Sequence, residues 1–207
     1  MARQATFSFS FITGALFAPE VGAVLPLLAE GKSWDEIAEA AEQDNLLKTR
    51  TAASRVRLLR EIRYRLAALS PAEVKFAASA RREDVHALLF IALCRHYAFI
   101  HEFVLSVLRP KALALDFQIM PADFSGFLYR ESHTHPEIQR LTDKSTAKIR
   151  QVIYRMLAET GLVASTKDLR LTPLLPSRAL ARLIADTDPK QLRFLLLTDN
   201  DIRNLTT

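Results

Sequence analysis

The chain has 207 residues, 49% hydrophobic and 25% charged, with five glycines, one cysteine and a formal net charge of +5. That length can bury one sizeable core, or two small ones, without disulfide help, and the scarcity of glycine argues against a loop-rich all-β fold. Cys94 has no partner for an internal disulfide, and the apolar stretch Phe7–Phe17 after Arg3 lacks a convincing cleavage site, so a reducing, cytoplasmic setting is expected.

In chain order, Ser8–Phe17 reads as an extended arm or short strand. Pro19 suits the first turn of a helix running to about Glu30, with Gly31 as its stop. Ser33 and Glu36 form an S-x-x-E capping box for a second short helix through Glu42, with Trp34, Ile37, Ala38 and Ala41 inward. Beyond the polar break Gln43–Asn45 lies Lys48–Arg65, capped by Thr49. Its 18 residues hold seven cations and one acid, Glu61, so this segment has net +6 and the rest of the chain sums to −1. Helical spacing puts Ala52, Val56, Leu59, Ile62, Leu66 and Leu69 on one stripe and Arg50, Ser54, Arg57, Glu61 and Tyr64 opposite. A short helix, a short connection and a longer basic helix have the layout of a helix-turn-helix.

Ser70-Pro71-Ala72-Glu73 combines an N-cap, a proline at the first helical position and a capping glutamate. A long apolar helix is expected from Asp84 to Arg109, stopped by Pro110; the charges and histidines inside it, and its short uncharged start, fit a core helix rather than a membrane span. Residues 111–119 lead to a loop at Met120-Pro121. Helices follow over Pro121–Arg130, Pro136–Leu141 and from Thr142 to Gly161, the last with Ile149, Val152, Ile153, Met156 and Leu157 inward. Leu162–Ala164 and Leu169–Leu171, separated by Ser165–Asp168, read as a β-hairpin. A helix over Ser177–Ala185, the apolar Leu192–Leu197 and a loose end complete the chain. The expected fold is mainly α: a helix-turn-helix N-terminal domain (1–70), a central helical core (71–119) and a C-terminal winged-helix-like domain with a small β-hairpin (120–207).

Two constellations carry chemistry. Lys48, Arg50, Ser54, Arg57 and Arg60 would face a phosphate backbone, since arginine supplies both charge and a rigid donor fork. Lys144, Lys148, Gln151 and Arg155, spaced i, i+4, i+7, i+11, line one face of a second helix, where glutamine can read a base edge between cations that hold phosphates. Lys167 and Arg170 in the hairpin would extend that surface. His133 and His135 lack the third ligand a metal site needs, and nucleotide-binding, zinc-hydrolase and nucleophile-elbow motifs are absent. No enzyme activity, cofactor or metal is expected.

The segments SFITGALFAPEVGAVL, DNLLKTRTAASRVRLLREIRYRL, LCRHYAFIHEFVLSVLRPK, HPEIQRLTDKSTAKIRQVIYRMLAETGLV and PLLPSR, in that order, resemble the BrxA family of BREX bacteriophage-exclusion systems over roughly residues 8–185. The resemblance implies a small, non-enzymatic, mainly helical component of a bacterial anti-phage island that binds DNA. The family has also been likened to an RNA-binding antitermination factor, which leaves RNA binding as one alternative; the basic helix leaves another, an assembly subunit that docks an acidic partner among the other BREX proteins with the winged helix as scaffold. The expected partner is double-stranded DNA, with no membrane association.

Overall fold

The computed structural model describes residues 6–207; Arg3, the cation of the leader-like reading, lies outside them. Among the described residues there are twelve α-helices and no strand. They are α1 (Ala18–Ala29), α2 (Trp34–Gln43), α3 (Ala52–Leu66), α4 (Pro71–Ala77), α5 (Arg82–His96), α6 (Ala98–Phe103), α7 (Arg109–Leu113), α8 (Pro121–Glu131), α9 (Pro136–Gln139), α10 (Asp143–Thr160), α11 (Arg178–Ala185) and α12 (Asp199–Thr206).

Local chemistry sets most boundaries. In both capping boxes the serine backbone N–H donates to the glutamate, Ser33 to Glu36 at 2.7 Å and Ser70 to Glu73 at 2.8 Å, and each serine hydroxyl accepts in return. Thr142 accepts the Ser145 N–H at 3.1 Å to start α10. Gly161, at φ +90°, ends that helix in the left-handed conformation that a side chain would strain.

α5 is the central post. Ala87 through Cys94 are all buried, and α1, α3, α4, α10 and a 3-10 turn over Pro189–Leu195 pack around it. Burial pushes the Cys94 thiol well above its ordinary pKa, so it is an inert core group. Buried side chains from Phe7 to Ile202 form one cluster. Within it, Phe99 meets Phe7, Phe9, Phe11, Phe124 and Phe127 at ring separations of 5.1–6.5 Å.

The fold departs from expectation in several places. The long helix does not run through to Arg109: Tyr97 is extended (φ −110°, ψ 100°), and the helical axis turns by 108° between Arg82–His96 and Ala98–Leu113. The bend seats the Tyr97 ring in the core with its hydroxyl donating to Glu61 at 2.7 Å. Pro110 does not stop the second limb either, because a π-turn over Val104–Leu108 widens the helix just before it, and the Arg109 N–H reaches back five residues to Val104.

The β-hairpin is absent. Val163 and Leu171 form one isolated antiparallel bridge, and Arg170 pairs with Gln118 instead. Leu171 donates to Phe117 at 2.7 Å, so residues 169–171 are shared between two neighbours and neither pairing extends into a strand. The expected loose end is ordered as α12, opened by a Thr198/Asp201 capping box. Ser8–Phe17 is neither arm nor strand throughout, since Ser10–Thr13 form a 3-10 turn. No single described helix is long and apolar enough to cross a membrane; α5 and the 98–113 limb meet that measure only as a bent pair.

Candidate nucleic-acid interface

α3 begins at Thr51, not Thr49: the Thr51 hydroxyl accepts the Ser54 N–H at 3.1 Å, while the Thr49 N–H is held by Asn45. The helix is seated most deeply toward its C-terminal end. Ile62 and Leu66 are buried, whereas Ala52 is exposed and Val56 is 66% exposed. The expected six-residue inner stripe is therefore wrong at its start, because in the first two turns Arg55 and Leu58, not Ala52 and Val56, face the neighbouring surface. Arg55 ties this end to α2 through Glu42 at 2.8 Å.

Lys48, Arg50, Ser54, Arg57 and Arg60 are all exposed. At 100° per residue, Val56, Arg57, Arg60, Arg63 and Tyr64 share the outer side of α3. Arg57 and Arg60 have no carboxylate partner among the described residues. Arg63 was missed as a member of this face, although its spacing from Arg57 and Arg60 signals it; its guanidinium lies 5.7 Å from the Trp34 ring. Ser54 sits at the edge, sharing a hydrogen bond with Thr51, and lines a hollow of about 180 Å³ with Arg57, Thr13, Phe17 and Glu61.

Arg65 is the opposite case. It is 2% exposed, bound to Glu61 at 2.8 Å and to the carbonyls of Gly14 and Ala15, with the Phe17 ring 4.5 Å from its guanidinium. It belongs to the packing and not to the basic surface.

α10 is seated along its length by Ile149, Val152, Ile153, Met156 and Leu157. Lys144, Lys148, Gln151 and Arg155 are exposed on the opposite face. Lys148 donates to Gln151 at 3.3 Å, and Arg155 pairs with Glu159 at 2.8 Å while remaining 66% exposed. Lys167 and Arg170 are also exposed. The Ser165 hydroxyl accepts the Lys167 and Asp168 N–H groups, forming a tight turn, and the Arg170 guanidinium lies 5.9 Å from the Phe117 ring.

The two faces approach a common segment. Thr13 and Phe17 line the hollow that contains Ser54 and Arg57, and also a larger one of about 700 Å³ that contains Arg155, Glu159, Arg82 and His86. Elsewhere, His135 is buried, stacked 3.7 Å from Phe7 and bonded to Glu137 at 2.9 Å, and His133 bonds the Tyr129 carbonyl at 2.8 Å. His135 is thus a packing residue. No group of three His, Cys, Asp or Glu side chains among the described residues could hold a metal ion.

Comparison with known proteins places this geometry. A crystal structure of an uncharacterized protein from Magnetospirillum magneticum has a similar fold, with a TM-score of 0.79 at 20% identity, covering 93% of this chain and 98% of that one. The BREX protein BrxA of Paramagnetospirillum magneticum (strain ATCC 700264 / AMB-1) is 23% identical over 158 residues, which is 76% of this chain and 79% of that protein. The BrxA family model matches residues 5–188, nearly the whole length, and the chain belongs to the BrxA family of BREX phage-defence components.

Proposed function

We propose that this chain is a non-enzymatic, cytoplasmic double-stranded DNA-binding subunit of its BREX system, contacting mainly phosphates with little sequence preference. One observation carries the reading: all eleven candidate contact residues are solvent-exposed, with Arg57 and Arg60 on the outer face of α3, Lys144, Lys148 and Arg155 on that of α10, and Lys48, Arg50, Lys167 and Arg170 on the segments flanking those helices. α3 would enter a groove with its exposed outer face. α10 would act as the recognition helix of a winged-helix-like unit, in which the Ser165–Asp168 turn brings Lys167 and Arg170 to the backbone. A wide, accessible major groove is a property of B-form DNA; the major groove of A-form RNA is too deep and narrow for a helix.

With roughly six phosphate contacts, affinity should fall on the order of a thousandfold between about 50 and about 200 mM salt. A gel-shift titration on unrelated duplexes measures this, with structured RNA as competitor. Arg57→Ala/Arg60→Ala should reduce the salt slope by about 2. A flat salt response, unchanged binding in the double variant, or preferential capture by RNA would remove the reading.

A second reading, docking onto another BREX protein, draws on a different place. Leu113, Leu115 and Met120 are 44%, 76% and 52% exposed around the turn after α7. It expects Leu115→Asp to abolish co-elution with the other defence proteins while leaving DNA binding intact.

A further inference from the structure

The basic faces of α3 and α10 lie on helices far apart in sequence; both helices pack on α5, and a short piece of backbone near the N-terminus also bonds to each of them. Gly14 and Ala15 give their carbonyls to Arg65 of α3. The next residue, Leu16, gives its N–H to Glu159 of α10 at 2.8 Å. Each anchor is built in from several sides. Arg65 is fixed by Glu61, which also accepts the Tyr97 hydroxyl, and is covered by the Phe17 ring. Glu159 pairs with Arg155 of the basic face through its other oxygen, and its backbone carbonyl accepts from His86 Nδ1 of α5 at 2.6 Å.

We infer that Gly14–Phe17 is a positioning strap that fixes α3 and α10 at one spacing, so that both basic faces grip a single duplex. This rests on the DNA-binding reading above. Three consecutive residues bond to the two helices in turn, so neither helix can shift without breaking a buried or half-buried polar contact. Unpaired buried polar groups are costly, which makes the link stiff. The physical consequence is avidity. When one face is bound, the second meets the same duplex at an effective concentration set by the strap, and the affinity gain depends on geometry rather than on any new contact.

The strap can be perturbed without touching a charge. A Cβ at Gly14 would run into the Phe17 ring, so Gly14→Ala should displace the ring from Arg65. Phe17→Ala removes the ring outright, from a half-buried position. Fluorescence anisotropy with the full-length chain compares a duplex of about 10 base pairs, one helical turn, with one of about 30. The native protein should prefer the long duplex by about a hundredfold or more. Both variants should hold the short duplex with unchanged affinity and salt slope, while the long-to-short ratio falls about tenfold. A purely structural role would weaken both duplexes together and leave the ratio alone, and that result overturns the strap. So does a native ratio of only a few-fold, which means that the faces bind independently. If Gly14→Ala fails to fold, Phe17→Ala provides the same readout. Absence of salt-sensitive binding to either duplex by the native protein would instead sink the DNA-binding reading, and the strap with it.

Discussion

The two faces of α3 carry similar side chains and do opposite things. On the outer one, Arg57 and Arg60 point into solvent beside an exposed Val56; on the inner one, Arg65 is buried, with Ile62 and Leu66 on either side of it. Composition does not separate them. What does is whether the fold brings carbonyl and carboxylate oxygens to the guanidinium. Arg65 meets Glu61 and two strap carbonyls, whereas Arg57 and Arg60 meet no carboxylate among the described residues. An arginine with five fixed donors is equally suited to either setting, so its neighbours decide whether it anchors the fold or waits for a phosphate.

Substitutions can break that contrast, and the largest effect is expected at the anchor. Arg65→Leu strands Glu61 and two backbone carbonyls and should cost about 3–5 kcal/mol of stability. Denaturant unfolding measures this; a loss under about 1 kcal/mol would make Arg65 no different from the free arginines. A half-buried arginine paired with a buried carboxylate sharpens the point. Arg95 donates to both oxygens of Glu73 at 2.6 and 2.8 Å, to Ala68 and to Gln191. Burial alone would raise the Glu73 pKa, but the bonds from Arg95 and Ser70 outweigh it and hold the carboxyl below its ordinary 4.5.

A carboxylate depressed in this way stabilises the fold fully above pH 4.5, and the contribution is lost as pH falls through the folded-state value. Glu73→Gln should therefore cost about 1–3 kcal/mol at neutral pH, with the gap to the native protein closing in acid. A gap that stays constant down the acid limb would refute the linkage.

At the exposed start and outer face of α3 the effects shrink. Thr51→Ala removes the α3 cap, worth about 1 kcal/mol. Because the first turns are only partly packed, amide exchange there should rise more than global stability falls. Val56→Ser should be smallest, within about 0.5 kcal/mol of native. A larger loss would mean that the outer face of α3 is seated after all.

How much was legible follows the range of the forces involved. The capping boxes at Ser33 and Ser70, the Thr142 cap and the Gly161 stop involve groups within three or four residues of one another, and each appeared where its spacing placed it. The free face of α10 was legible for the same reason, since an uninterrupted apolar stripe leaves the cations no other side. The break at Tyr97 was not. α5 and the following limb are apolar on most sides, so periodicity carries no direction, and no glycine or proline marks the turn. The Val163–Leu171 pair shows another limit: alternating Leu and Val permit a hairpin, but Phe117 and Gln118 compete for the same backbone groups. The strap left no local trace, because its bonds cross 50 to 143 residues.

The sequence by itself determined the helical class, the helix starts and stops made by short-range caps, and the cationic outer faces of two amphipathic helices. All of these depend on residues that meet within a turn of helix. Only the tertiary structure decided which arginines are buried, where the central helix bends, and that one short N-terminal segment bonds to both α3 and α10. Those outcomes depend on which distant backbone groups arrive beside a given side chain, and spacing along the chain carries no record of that.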